Sequence, residues 1–274
     1  MATPLESWTR FLDEINRVRQ EIGNTAYPDD EFWYRGHADS GYTLLPSLFR
    51  NKATNTASER RKLWSLESDL YWEFSARARE LHNLPAVDWD YLFAMQHHGT
   101  PTRLLDWTEV LGVAVYFALV DIIDNYAKNK KIPKQYSPCV WVLNPNALNR
   151  QSGWSDGALL NPRNLGWDAG EEVYYSYEEL LLEDGIGWNG PVAIYPLQKT
   201  PRMHAQHGWF TMHGEKYRPL EDLSASRKFL RRVPIPVDAI PSALEFLAFA
   251  GIGHYSLFPD LVNLSKQLRS KFGI

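Results

Sequence analysis

Between residues 96 and 108 the chain reads Gln-His-His-Gly-Thr-Pro-Thr-Arg-Leu-Leu-Asp-Trp-Thr. An apolar helical pattern runs into this segment and another leaves it, so its polar side chains must sit among buried elements. Polar groups there are costly unless they bond to one another or serve a ligand. Gly99 and Pro101 stop the incoming helix, Asp90 to His97. Thr102 to Leu105 reads as a short strand. Val113 to Leu119 follows as an apolar helix whose small residues permit close packing. Taken singly, these residues suit structural roles: Asp106 and Arg103 as an ion pair, His98 as a helix cap. Taken together, they point to the floor of a functional site, with Asp106 to Thr108 facing a ligand.

The remaining pattern alternates irregularly between helix and strand. Leu5 to Ile22 carries Trp8, Phe11, Ile15, Val18 and Ile22 at helical spacing after a Thr3-Pro4 start. Phe32 to Gly36 reads as a strand opening into a polar turn, His37 to Tyr42. Ser58 to His82 is an amphipathic helix. Lys128 to Lys134 reads as a solvated basic linker. Strands are expected at Val140 to Leu143, Val192 to Tyr195, Trp209 to Met212 and Phe229 to Ile235. Helices are expected at Pro241 to Ala250 and Phe258 to Phe272. This pattern predicts an α+β fold, a mixed or antiparallel central sheet flanked by helices. The organisation expected is a single domain over 1–274, with an N-terminal helix at 1–24. An irregular insertion is expected at about 144–190, holding one short helix near Tyr177 to Leu182.

Composition narrows the function classes. A chain of 274 residues can bury a sizeable core. Its net charge of -4 gives no global field to attract nucleic acid or an anionic membrane. The aromatic load, 11 Trp, 14 Tyr and 12 Phe, is expected mostly in the core. Cys139 is the single cysteine, so no intramolecular disulfide forms, and its apolar surroundings predict a buried thiol. The start lacks the pattern of a secretion signal, and no apolar run approaches the roughly 20 residues of a membrane span. A cytoplasmic location and no membrane contact are the expectation.

Two further clusters carry chemistry. Trp33-Tyr34-Arg35-Gly36-His37 places a guanidinium at a strand end beside glycine, with Ser47 and Arg50 shortly after. Arg presents a planar fork to phosphate or carboxylate, and Gly admits close approach to the backbone. A buried acid as partner for Arg35 is an equally good reading. Arg202 to Thr211 holds His204 and His207 three residues apart. On a helix that spacing suits zinc, but Gly208 and the aromatics after it suggest a loop entering a strand, and no metal is expected. Leu257-Phe258-Pro259-Asp260-Leu261 reads as the structural start of the last helix.

Together these clusters resemble the FRG-domain family. The resemblance is carried by Tyr34-Arg35-Gly36, Leu45 to Arg50, the Gln96 to Thr108 segment, the Arg202/Gln206/Gly208/Phe210 group and Leu257 to Leu261. Val262-Asn263 stands where family members often show Asp-Gly. A more distant similarity links the chain to ADP-ribosyltransferases of the Arg-Ser-Glu type. Tyr34-Arg35-Gly36 resembles their first motif. Asp106-Trp107-Thr108 with Ala114 to Ala118 resembles their second, and Gln206-His207-Gly208 lies where their third falls. Thr108 replaces the usual Ser, and the last motif has no Glu. This similarity implies an ADP-ribosyltransferase-like core and NAD as substrate, cleaved at the nicotinamide–ribose bond, in a bacterial or phage-defence effector. Arg35, Asp106, Thr108 and Gln206 are the catalytic candidates it implies. Arg35 would hold the pyrophosphate, Asp106 would supply negative charge, and Thr108 and Gln206 would position the ribose. Tyr34, Gly36, His98, Arg103 and Trp107 are the binding candidates, with Trp107 or a nearby aromatic stacking on nicotinamide. The partner implied is a small-molecule nucleotide, with a protein or nucleic acid as acceptor. Two alternatives stand beside this: a nucleotide- or protein-binding module without catalysis, and a hydrolase or nuclease using His98 or His204 with Asp106.

Overall fold

The computed structural model describes residues 2–23, 31–50, 52, 56–81, 88–129, 131–133, 135–153, 157–161, 166–168, 171–173, 176–182, 190–196, 200–214 and 217–272. The N-terminal helix α1 spans Pro4–Ile22. Thr3 and Glu6 close a reciprocal capping box at its start, satisfying amide donors the first turn leaves unpaired. Strand β1 follows at Trp33–His37. Helices α2 (Ala57–Leu81) and α3 (Asp88–His97) lead to β2, Leu104–Thr108, and then to α4, Leu111–Asn129. Next come β3 (Cys139–Leu143), α5 (Pro145–Gln151), β4 (Gly166–Asp168), β5 (Glu171–Val173) and α6 (Tyr177–Leu182). The chain closes with β6 (Val192–Ile194), α7 (Pro201–Gln206), β7 (Gly208–Met212), β8 (Leu230–Pro234), α8 (Ile240–Phe249), α9 (His254–Leu257) and α10 (Leu261–Phe272).

The class is α+β, as the pattern predicts. Six strands form one sheet in the order β6-β7-β2-β1-β3-β8. Every neighbouring pair is antiparallel, so of the two expected arrangements the sheet takes the antiparallel one. β4 and β5 make a separate two-stranded ribbon within the expected insertion.

Alternation along the strands sorts side chains onto two faces. One face is continuous: Trp33, Leu105, Trp107, Trp141, Leu143 and Trp209 pack together, with the Trp33 and Trp209 rings stacked at 5.2 Å. The opposite face is divided. Over β1, β3 and β8, helices α1, α4 and α8 bury Tyr34, Val140, Val142 and Val233. Over β2, β7 and β6, helices α2, α3 and α6 bury Leu104, Phe210, Met212, Val192 and Ile194. The seam between these helical groups runs over the junction of β1 and β2.

That junction is barely a ladder. β1 and β2 pair at Tyr34↔Thr108 only, whereas β1 pairs with β3 along its full length from Trp33 to His37. From that rung toward His37 of β1 and Leu104 of β2 the strands part, and a cleft opens into the sheet.

Some sequence-based boundaries move, each for a reason. Thr102 and Arg103 precede β2 because Thr102 turns the chain and Arg103 dives into the core. β2 continues to Thr108, with Asp106 on the face toward the helical seam. α4 runs on through Asn129, into the stretch expected to be a linker. Arg202 to Gln206 is a helix, capped at its start by Thr200, and not a loop. The last helix, expected from Phe258, begins at Leu261 as α10, and the short α9 precedes Phe258. His82, Lys130, Lys134, Trp188 and much of the insertion lie outside the described residues. Among the described residues no helix is long and apolar enough to cross a membrane.

Candidate functional site

The cleft between β1 and β2 is the mouth of a cavity of about 700 Å³. Its walls include Tyr34, Arg35, Gly36 and His37 from β1, and Asp106, Trp107 and Thr108 from β2. Val113, Ala114 and Phe117 come from α4, Arg202 and Gln206 from α7, and Tyr42, Leu45 and Arg50 from the chain after β1. The volume is in the range of small-molecule and nucleotide sites.

Arg35 bridges the parted strands. Its Nη1 donates to the Asp106 backbone carbonyl at 2.7 Å, replacing a ladder bond the cleft removes. The same nitrogen lies 3.7 Å from Asp106 Oδ2. Its Nε donates to His37 Nε2 at 3.2 Å, so the neutral His37 ring carries its proton on Nδ1. Burial weakens the protonated form of Arg35, and the Asp106 carboxylate works the other way. Burial and the neighbouring Arg35 charge push the His37 imidazole down to about 3. His37 is therefore neutral at physiological pH.

Asp106 is held from a second side. Gln96 Nε2 donates to Asp106 Oδ2 at 2.8 Å. The Gln96 carbonyl accepts from Thr102 Oγ1, whose oxygen in turn accepts from the Leu104 amide. One glutamine amide thus links the turn before β2 to the carboxylate in β2. The Asp106 side chain is 58% exposed and lines the cavity, with Arg35 and Gln96 both at its Oδ2.

The other sequence candidates fall into three groups. Thr108 and Gln206 line the cavity, but the Thr108 hydroxyl and the Gln206 amide nitrogen serve the protein. Thr108 Oγ1 donates to the Gln206 backbone carbonyl and accepts from the Val110 amide. Gln206 Nε2 donates to Leu257 O at 3.0 Å. Tyr34, Gly36 and Trp107 border the cavity while packing the core. Gly36 is needed by α4: a Cβ there would lie 1.9 Å from Ala114 O and 2.6 Å from Ala118 N. Packing, and not ligand approach, is the physical reason for this glycine. Trp107 is buried, and its Nε1 donates to Thr211 Oγ1 at 3.0 Å, so its indole is committed to the tryptophan-rich face. The aromatic surfaces that remain at the cavity are Tyr42 and Phe117.

His98 and Arg103 belong to neither group and lie off the cavity walls. His98 is exposed in the turn after α3. Arg103 is 1% exposed and pairs through Nε and Nη2 with the buried Glu67 carboxylate, not with Asp106. Tyr177 donates to the same carboxylate at 2.6 Å, and Arg103 Nη1 donates to His213 O at 2.8 Å. His204 is exposed on α7, outside the cavity. His207 ends that helix in the left-handed conformation, its Nδ1 2.8 Å from Glu109 Oε1. Arg50 and Arg202 are cavity residues that the sequence flagged without assigning them to the site. Arg202 donates to His97 O at 3.2 Å and stacks its guanidinium over the Phe258 ring at 4.6 Å. Helical spacing in α7 was the signal that could have found it, since Arg202 and Gln206 are four residues apart on one face.

No curated protein and no solved structure matches the chain. The FRG domain model matches residues 30–127, a span that holds both Tyr34-Arg35-Gly36 and the Gln96 to Thr108 segment. The β1–β2 cleft, Arg35 and Asp106 all fall within that span, and residues 30–127 of this chain are an FRG domain.

Proposed function

We propose that the cavity binds NAD and that the protein cleaves its nicotinamide–ribose bond. One observation carries this reading: Arg35 and Asp106 meet at the parted strands, with Thr108 and Gln206 on the same cavity wall. In this scheme Arg35 and Gln96 hold Asp106 in place, and the carboxylate faces the ribose. The C1′–N bond breaks and its electron pair moves into the nicotinamide ring, cancelling that ring's positive charge. The cation left at C1′ is stabilised by Asp106, fixed before the reaction begins. Water or an acceptor hydroxyl then bonds to C1′ and releases its proton to solvent.

The test is nicotinamide release from NAD by the full chain, together with transfer of an adenine-side label to protein or nucleic acid. Asp106→Asn should slow release by about 100-fold, the usual effect of removing one preorganised electrostatic group. Neither release nor transfer in the unmodified protein sinks the proposal. A second reading, binding without turnover, draws support from the Thr108 hydroxyl and the Gln206 amide nitrogen, which are already engaged with the protein. Saturable NAD binding in a calorimeter with no nicotinamide formed selects it.

A further inference from the structure

We infer that the cavity selects a ligand with two negative charges, as in a pyrophosphate diester, and that Arg50 and Arg202, rather than Arg35, recognise them. The inference rests on the nucleotide reading above and adds the ligand's charge and the residues that read it. Among the described residues, the charged ones on the cavity wall are Arg35, Arg50, Arg202 and Asp106. His37 adds nothing, being neutral. Of these groups three guanidiniums face one carboxylate, so two positive charges have no counterpart among the described residues. A partly enclosed wall holds like charges at a cost unless an anion arrives to meet them.

Donor accounting separates the three arginines. Arg35 spends Nε on His37 and Nη1 on Asp106. Arg50 spends only Nε, on Leu45 O at 2.9 Å. Arg202 spends only Nη1, on His97 O. Among the described residues neither Arg50 nor Arg202 has an ion-pair partner. The two come from different elements, Arg50 from the chain after β1 and Arg202 from α7. Arg50 is close enough to Arg35 and His37 to disfavour their protonated forms. Arg202 does the same to His97 and is itself favoured by Asp106. A bridged diphosphate offers one charge per phosphoryl group to two separated forks, the geometry guanidinium recognises best. Arg35 is then left to position Asp106.

Calorimetry on the full chain with adenosine, AMP, ADP-ribose and inorganic pyrophosphate tests this. ADP-ribose should bind at least about 30-fold tighter than adenosine, with AMP between them, since each charge-assisted contact contributes about 1.5–3 kcal/mol. Arg50→Gln and Arg202→Gln should each weaken ADP-ribose by about 10-fold or more and leave adenosine unchanged. Pyrophosphate should compete with ADP-ribose. Equal affinity for adenosine and ADP-ribose, or no ADP-ribose binding at millimolar concentration, overturns the inference without any variant. Folded variants with unmodified ADP-ribose affinity overturn it as well; Arg50→Lys and Arg202→Lys serve if the glutamine variants do not fold. The outcomes separate from those of cleavage. Arginine-dependent ADP-ribose binding without nicotinamide release removes the cleavage reading alone. Nicotinamide release that is unchanged in both variants at low NAD removes the dianion reading alone.

Discussion

Arg35 and Asp106, 71 residues apart, meet where β1 and β2 separate, the guanidinium donating to the Asp106 carbonyl at 2.7 Å. The contact does two things. It replaces a missing rung of the sheet, and it sets a carboxylate beside a cavity. The Tyr-Arg-Gly motif and the Asp-Trp-Thr motif therefore act as one unit, one supplying the bridge and the other the group it holds.

Arg35→Ala should destabilise the fold by about 2–4 kcal/mol, because it leaves His37 Nε2 and the Asp106 carbonyl without their donor. Arg35→Lys keeps the charge but puts a single nitrogen where Nε and Nη1 meet the two acceptors, and should lose about half as much. Urea midpoints multiplied by the slope give both numbers. An alanine variant within about 0.5 kcal/mol of the unmodified protein would show that the bridge carries no stability.

Gly36→Ala should be far more damaging than its size suggests. The added methyl meets backbone atoms of α4 at 1.9 and 2.6 Å, and no side-chain rotation relieves that. The helix must lift from the sheet, at about 3 kcal/mol or more. Gly253→Ala is the matched control, since nothing lies within 4 Å of a Cβ there and its φ is ordinary. It should cost under about 1 kcal/mol. Comparable losses in the two variants would refute the packing account of Gly36.

Much of this was readable from local pattern. The 3.6-residue period of Trp8, Phe11, Ile15, Val18 and Ile22 marks the α1 face, and the apolar run at 140–143 marks β3. Small residues in Val113 to Leu119 predict close packing of this helix, and the structure sets it against β1 at Gly36. Pairings set by distant sequence were not readable. Arg103 has a carboxylate, Asp106, three residues away and takes Glu67 instead, because α2 brings that group into the core. Trp107 looks like a ligand platform until strand alternation turns its ring to the opposite face. Arg202 was hidden by Gly208 and its aromatic neighbours, which suggested a loop where a capped helix forms. Asp106 and Arg35 were legible as residues that must find partners. Their meeting was not, since it depends on two strands that fail to pair.

Acid should destabilise the protein through two buried imidazoles. Burial and the Arg35 charge hold His37 at about 3, against an ordinary value of 6.5. Burial lowers His213 to about 3 as well, although its contact with the Arg218 carbonyl opposes the shift. Both rings are neutral when folded and take up protons near 6.5 when unfolded. Their contribution is complete above about pH 6.5 and is lost as the pH falls toward 3. Within that window each ring removes about 1.4 kcal/mol per pH unit, so the two together remove about 2.7. Urea titrations between pH 6 and pH 4 read this slope. His213→Gln should reduce it by about half, whatever it does to the absolute stability. A slope indifferent to that change would place the acid sensitivity elsewhere.

The Glu67–Arg103 pair should control stability without touching ligand chemistry. Both side chains are nearly inaccessible, and the guanidinium binds the carboxylate through two nitrogens. Glu67→Leu leaves a buried guanidinium without a counter-charge and should cost about 3–5 kcal/mol. Arg103→Met leaves the carboxylate to Tyr177 alone and should cost a similar amount. Replacing both with apolar residues, Glu67→Leu with Arg103→Met, removes the stranded charge and should recover much of the loss. A double-mutant cycle in urea measures that recovery as a coupling energy, and strictly additive losses would contradict it. Neither residue lines the cavity. ADP-ribose affinity, measured on the folded fraction below the unfolding temperature, should therefore be the same in all three variants. A specific loss of binding in Arg103→Met would return this arginine to the site.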